Sequence, residues 1–291
     1  MEADPATTGT SSPNLPLKPV SQTAFYCSGA RMWDAQRRWP VCGDSLAARF
    51  MDAAALEFFQ PYRKLFGTNI SCAVRHRMID DLVRDRLRDS PDTLIVVIGA
   101  GFDSRAYRLP SGRYLEVDEA ALMVYKETCL PANTAKNPLT RLTIDFATEC
   151  LTVKLAPFRT TTPVIVIVEG VTMYLSQSAL QNLAQSIRQT FPQAELIADI
   201  MSEPYGQKYG RPIRNELAAV EAQFQFSQPP AEVFQSQGFR PLQRISIFEQ
   251  TLALSFPRVP RAWWPVLLKA TPQLLREGYL IWQLAPAEGG C

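Results

Sequence analysis

The residues able to do chemistry in this sequence stand at the ends of short apolar runs. Thr93-Leu94-Ile95-Val96-Val97-Ile98 closes on Gly99-Ala100-Gly101, and Arg113-Tyr114-Leu115-Glu116-Val117 closes on Asp118. Arg141-Leu142-Thr143-Ile144 closes on Asp145-Phe146, and Val164-Ile165-Val166-Ile167-Val168 closes on Glu169-Gly170. Gly99 and Gly101 let the backbone pass close to a ligand with no Cβ in the way. Asp118 follows Gly101 by 17 residues, a spacing at which a carboxylate accepts both hydroxyls of a ribose. It reads otherwise as a solvated carboxylate at a strand end. Asp145 is placed to receive an adenine amino group with Phe146 stacked on the ring, or it is an ordinary strand–loop residue. Glu169 closes an apolar run and is costly to bury unpaired, so it calls for a cation: a ligand ammonium or Arg75. Arg75 is suited to fork a ligand carboxylate, or it is one more surface arginine beside Arg77, Arg84, Arg86 and Arg88.

The glycine turn narrows the ligand. It reads Gly99-Ala100-Gly101-Phe102-Asp103-Ser104-Arg105, so Ser104 stands where a dinucleotide fingerprint has its third glycine. Such a helix start is not built to cradle a pyrophosphate. An adenosyl ligand fits better than a nicotinamide dinucleotide.

The elements around these tips follow from pattern. Runs apolar on both faces are strands covered by helices on each side. Glu195–Ile200 is a fifth such run, and helical stretches at Ala120–Thr128 and Ser178–Thr190, the latter capped by Ser176 or Ser178, lie between. Alternating strands and helices build a parallel α/β sheet, whose ligands collect at the carboxyl ends of the strands. Upstream, a helix is expected over Ser45–Glu57 after Asp44, and another over Ile70–Leu87, where Val74, Met78, Leu82 and Val83 recur at helical spacing. Residues 1–20 read as a disordered leader, 21–90 as a helical cap, and 21–291 as one domain. Residues 201–236 are expected to form an irregular, partly helical lid. Phe239–Phe248 and Gly278–Leu284 read as an antiparallel edge pair, with Trp263-Trp264-Pro265 between them in a substrate lid.

Composition excludes several classes. The chain has 291 residues and a net charge of +2, which offers little attraction to a phosphate backbone, so no nucleic-acid partner is expected. No apolar run approaches the ~20 residues of a spanning helix, so no membrane is expected either. His76 is the single histidine, which precludes a histidine-rich metal site and weighs against a Ser-His-Asp hydrolase. No metal is expected. Six cysteines without a CxxC pair, and no signal-peptide pattern, point to reduced thiols in a cytoplasmic protein. Oligomeric state is left open.

Taken in order, four stretches resemble a known family. They are Arg75-His76-Arg77-Met78-Ile79-Asp80-Asp81, then Val97 through Leu109, then Leu115-Glu116-Val117-Asp118, then Val168-Glu169-Gly170-Val171-Thr172-Met173-Tyr174-Leu175. Together they are similar to the leucine carboxyl methyltransferases, including the tetracenomycin-type polyketide O-methyltransferase branch. Thr23-Ala24, Arg31 and Asp44-Ser45-Leu46-Ala47 resemble its bacterial members. The resemblance covers roughly residues 20–205 and implies a Rossmann-like class I methyltransferase, with a seven-stranded, mostly parallel sheet of order 3-2-1-4-5-7-6. It implies S-adenosylmethionine as cofactor. Arg75 would hold the methionyl carboxylate, Gly99 and Gly101 the turn beneath the methionine, and Asp118 the ribose. Asp145 and Phe146 would take the adenine edge, and Glu169 the methionyl amine.

Methyl transfer asks chiefly for alignment and exclusion of water. A carboxylate acceptor is already ionised and needs no base, whereas a phenol or alcohol usually wants one, most often His. With one histidine, a small-molecule carboxylate in secondary metabolism is the expected acceptor. A protein C-terminal carboxylate and a noncatalytic adenosyl-binding role are the alternatives. Arg105 and Arg108 either orient an anionic acceptor or pair with Asp103 or Glu116, and Tyr174 either lines the acceptor site or packs.

Overall fold

Val, Ile and Leu fill β1 (Leu94–Ile98) and β4 (Val164–Val168), and every residue of both strands is buried. Strands apolar on both faces cannot lie at a solvated edge, and these two form the centre of the sheet. The computed structural model describes residues 17–218, 221–225, 229–255 and 268–287. With β2 (Arg113–Asp118), β3 (Leu139–Thr143), β5 (Glu195–Met201), β6 (Phe239–Ser246) and β7 (Tyr279–Pro286), the sheet has seven strands in the order β3-β2-β1-β4-β5-β7-β6. β1 to β5 run parallel, and β7 runs antiparallel to both β5 and β6. The expected fold class and strand order are those observed.

Two cores follow from the alternation of side chains across the sheet. On one face, Val96, Ile98, Val117, Val166 and Val168 pack on α6 (Leu151–Leu155), α7 (Gln177–Thr190) and α10 (Pro230–Ser236). On the other, Ile95, Val97, Ile165, Ile167 and Ile281 pack on α3 (Phe66–Asp89) and the start of α11 (Ile247–Ser255). Each such side chain contributes about 1.5–3 kcal/mol on burial. The remaining helices are α1 (Pro19–Ala35), α2 (Ala53–Phe59), α4 (Arg105–Arg108), α5 (Ala120–Cys129), α8 (Glu203–Lys208), α9 (Arg211–Ala218) and α12 (Gln273–Glu277). No described helix is long and apolar enough to cross a membrane.

The structure corrects several expected elements. The helix expected over Ser45–Glu57 is broken: Ser45–Phe50 is a 3-10 helix, and Asp52 then caps α2 by accepting the Ala55 N–H at 2.9 Å. β3 lies earlier than expected and ends before Asp145, because an edge strand with half-exposed residues has little apolar contrast. Asp145 and Phe146 therefore stand in the loop beyond it. The stretch 201–236 is not simply a lid, since Val233 and Phe234 of α10 are part of the core. The run Phe239–Phe248 divides at Ser246, whose hydroxyl accepts the Glu249 N–H at 3.2 Å as α11 begins. α1 starts at Pro19, inside the expected leader, most of which lies outside the described residues. Trp263-Trp264-Pro265 also lies outside them.

Candidate functional site

A cavity of about 1160 Å³ opens at the carboxyl ends of the parallel strands. Arg75, Gly99, Gly101, Asp118, Phe146 and Glu169 all line it. Asp145 does not; it stands beside the rim. There Lys18 Nζ donates to Asp145 Oδ1 at 2.8 Å and to Glu119 Oε1 at 2.9 Å. Lys18, the Ala147 N–H and the Thr148 hydroxyl pull the Asp145 carboxyl down to about 2.

The glycine turn is shaped by contacts that a side chain would destroy. Gly99 has φ +68°, and a Cβ there would fall 2.5 Å from Val171 Cγ2. Asp118 clamps the turn from the next strand. Its Oδ2 accepts the Gly101 N–H at 2.6 Å, and its Oδ1 accepts the Glu119 N–H at 2.7 Å. Each carboxylate oxygen keeps a second lone pair for a ligand. Burial raises the Asp118 carboxyl above its ordinary range, against the pull of those two N–H groups. Ser104 has a structural duty in place of a third glycine: its hydroxyl donates to Asp44 Oδ2 at 2.8 Å. Phe102 is stacked on Phe50 at 4.5 Å, and its carbonyl accepts from Arg31 at 2.9 Å. The turn is thus fastened to the segment carrying Asp44-Ser45-Leu46-Ala47.

Beneath the cavity lies a buried network of ions. Arg75 donates to Glu169 Oε1 at 3.1 Å, to Asp199 Oδ2 at 3.1 Å and to the Tyr279 hydroxyl oxygen at 2.8 Å. Arg105, fully buried, donates to Asp80 Oδ1 at 2.7 Å, to Glu169 Oε2 at 2.7 Å and to Asp103. Arg108 reaches Asp80 at 2.7 Å and Asp44 at 3.3 Å, and Arg31 reaches Asp44 at 3.0 Å. Burial would raise the Glu169 carboxyl, but Arg105, His76 and Arg75 together hold it well below the usual range. Burial, then the charge of Arg105, lowers the His76 imidazole below its ordinary range. Its Nδ1 faces Arg105 at 3.0 Å and its Nε2 faces Arg108 at 2.7 Å. His76 is therefore a buried link of this network.

Arg105 and Arg108 are consumed by this network, so they do not orient an acceptor. Their partners include Asp103 as expected but not Glu116, which meets Lys126 at 2.7 Å and Arg141 at 3.1 Å. Arg75 differs from them at one nitrogen. Among the described residues its NH2 has only thiol hydrogen-bond partners, Cys27 Sγ at 3.7 Å and Cys72 Sγ at 3.9 Å. Sulfur is a weak acceptor, so these donors remain able to serve a carboxylate. A Cβ at Gly170 would stand 3.1 Å from this NH2, so the glycine keeps the approach open. An acid for a ribose, a guanidinium for a carboxylate and two glycine cradles on one cavity fit an adenosyl amino acid.

Residues 24–188 match the family described as leucine carboxyl methyltransferase, more than half of the chain. The chain belongs to the leucine carboxyl methyltransferase family. A candidate S-adenosyl-L-methionine-dependent methyltransferase of Mycobacterium marinum is 32% identical over 188 residues, covering 58% of this chain and 61% of that protein. Another, from Parafrankia, is 31% identical over 185 residues, covering 58% of each. The match thus spans less than two thirds of these relatives' own length. A DUF574 family protein from Streptomyces avermitilis shares the fold at TM-score 0.54 and 12% identity, over 89% of this chain and 96% of that one. A candidate methyltransferase from Thermobifida fusca does so at TM-score 0.53 and 14% identity, over 89% and 94%.

In this family member, reasoning from sequence missed Lys18, Asp80, Asp199 and Tyr279. Asp199 carried a usable signal, being an acid set between apolar residues inside a buried strand. Tyr279 carried none, since its partner Arg75 is 204 residues away.

Proposed function

We propose that this protein binds S-adenosylmethionine in the cavity and methylates an oxygen of a small molecule. The observation that carries this reading is the convergence of Arg75, Gly99, Asp118 and Glu169 on one cavity. In this reading the NH2 of Arg75 holds the methionyl carboxylate and Glu169 lies by the ammonium. Asp118 accepts the ribose hydroxyls, and Asp145 with Phe146 borders the adenine. The cofactor supplies an electrophilic methyl on a sulfonium. The chain's own task is alignment and the exclusion of water, to which α1 contributes Val20 and Ala24 and the segment after β4 contributes Val171 and Leu175.

The lock on His76 supports a carboxylate acceptor, giving a methyl ester. An imidazole with both ring nitrogens against guanidiniums is not placed to take a proton from a hydroxyl. A hydroxyl acceptor is the second reading, favoured by a different observation. The cations lining the cavity, Lys18, Arg31 and Arg75, all carry carboxylate partners already. A carboxylate acceptor would have to share one of them.

Calorimetric titration with S-adenosylhomocysteine and with NAD tests the cofactor: heat with the first and none with the second is expected, and the reverse overturns the reading. Labelled methyl donor is then added with a metabolite extract. Base-labile label on small molecules marks an ester, and base-stable label an ether. Label on protein marks a protein carboxyl acceptor, and no transfer leaves a binding protein.

A further inference from the structure

The cavity also carries a chemistry that methyl transfer does not use. Cys27 on α1 and Cys72 on α3 both line it. Their sulfurs flank one nitrogen, Arg75 NH2, at 3.7 and 3.9 Å. Cys72 is buried and Cys27 half-buried, so a small molecule entering the cavity meets Cys27 first. The neighbouring Cys72 thiol, with the charges of Arg75 and Arg31, pulls the Cys27 thiol down to about 6. The neighbouring Cys27 and burial push Cys72 well up. Glu169, Tyr26 and Tyr174 are the other titratable groups facing the pair. The pair therefore holds a thiolate able to attack and a neighbouring thiol able to resolve.

We propose that Cys27 and Cys72 form a reactive dithiol, which low-molecular-weight disulfides oxidise to an internal disulfide. The Cys27 thiolate attacks one sulfur of the small disulfide, forming a mixed disulfide and releasing one thiolate. The sulfur of Cys72 then attacks Cys27 Sγ, loses its proton and expels the second thiolate. The protein gives up two electrons, and the small disulfide becomes two thiols. The product ties α1 to α3 across the cavity and takes both sulfurs away from Arg75.

The test uses the full chain, oxidised glutathione as the disulfide, and mass spectrometry after alkylation and digestion without reduction. The expected product is a linked Cys27–Cys72 peptide, lighter by two hydrogens than its two thiol peptides. In Cys72→Ser a stable glutathione adduct at Cys27 is expected. Its rate of formation should rise with pH as the Cys27 thiolate forms, an ionisation that the charges of Arg75 and Arg31 still favour in this variant. Cys150→Ser removes the exposed competing thiol. Free Cys27 and Cys72 in the oxidised wild-type protein, or adducts confined to Cys150, would overturn the proposal. The readout is a mass, so it is decided whether or not the protein transfers methyl groups.

Discussion

Asp118 fixes the glycine turn and faces the candidate ribose site at once, so its removal has two costs. Asp118→Ala loses a charged acceptor and frees the N–H groups of Gly101 and Glu119. A loss of about 1–3 kcal/mol in binding, roughly five- to 150-fold in affinity for S-adenosylhomocysteine, is expected by calorimetry. Unchanged affinity would contradict its role. Gly99→Ala sets a Cβ against Val171 at positive φ, and a loss of more than about 1 kcal/mol in stability should appear in urea melts. These residues were legible because a glycine pair or an isolated acid at the end of an apolar run is a local signal. The sequence suggests a strand end at Asp145, but β3 stops two residues earlier, at Thr143, because its weak apolar contrast hides the boundary. The dithiol was not legible: Cys27 and Cys72 meet only because α1 crosses α3.

α3 shows why an element can be read correctly and its meaning missed. Its helical spacing is visible in the sequence and Arg75 is expected at the cofactor, but Asp80 is given no role there. The structure buries Arg75, His76 and Asp80 along it, so polar groups lie on the inner side and the helix has little amphipathic contrast. A charged residue in sequence reveals no partner, and these partners come from α4, the turn after β4, β5 and β7. Arg105→Met should therefore cost about 3–5 kcal/mol in chemical denaturation, since it strands Asp80, Asp103 and part of Glu169 in the interior. The network also sets the acid limit. Burial opposes ionisation of Asp44, Asp80, Asp103 and Glu169, but neighbouring arginines and His76 overcome it and lower all four. Unfolded carboxyls titrate near ~4, so below about pH 5 the unfolded chain binds more protons than the folded one. Stability is thus full above about pH 5 and declines as pH falls. The urea midpoint at pH 4 should lie below that at pH 7, and equal midpoints would contradict the network's charge state. Asp118, raised by burial, contributes with the opposite sign.

At the scale of the molecule, the parallel sheet and the position of the cavity were legible, because buried parallel strands and their tips follow from pattern, whereas the strand order came from the family resemblance. The division of 201–236 into α8, α9 and the core helix α10 was not, since short helices with mixed faces lack a period long enough to read. Ligand linkage gives a global test. S-adenosylhomocysteine at a hundred times its Kd should stabilise the fold by about 2.7 kcal/mol and raise Tm by several degrees, whereas NAD should leave Tm in place. One further consequence lies in β7. It runs between β5 and β6, and its Tyr279 donates to Asp199 Oδ2 at 2.6 Å while accepting from Arg75. Arg75 leaves the ribosome 204 residues before the tyrosine that immobilises it. A nascent chain that has already assembled β1 to β5 therefore still lacks a finished guanidinium clamp, and competence to hold an anion arrives only when translation has delivered β7.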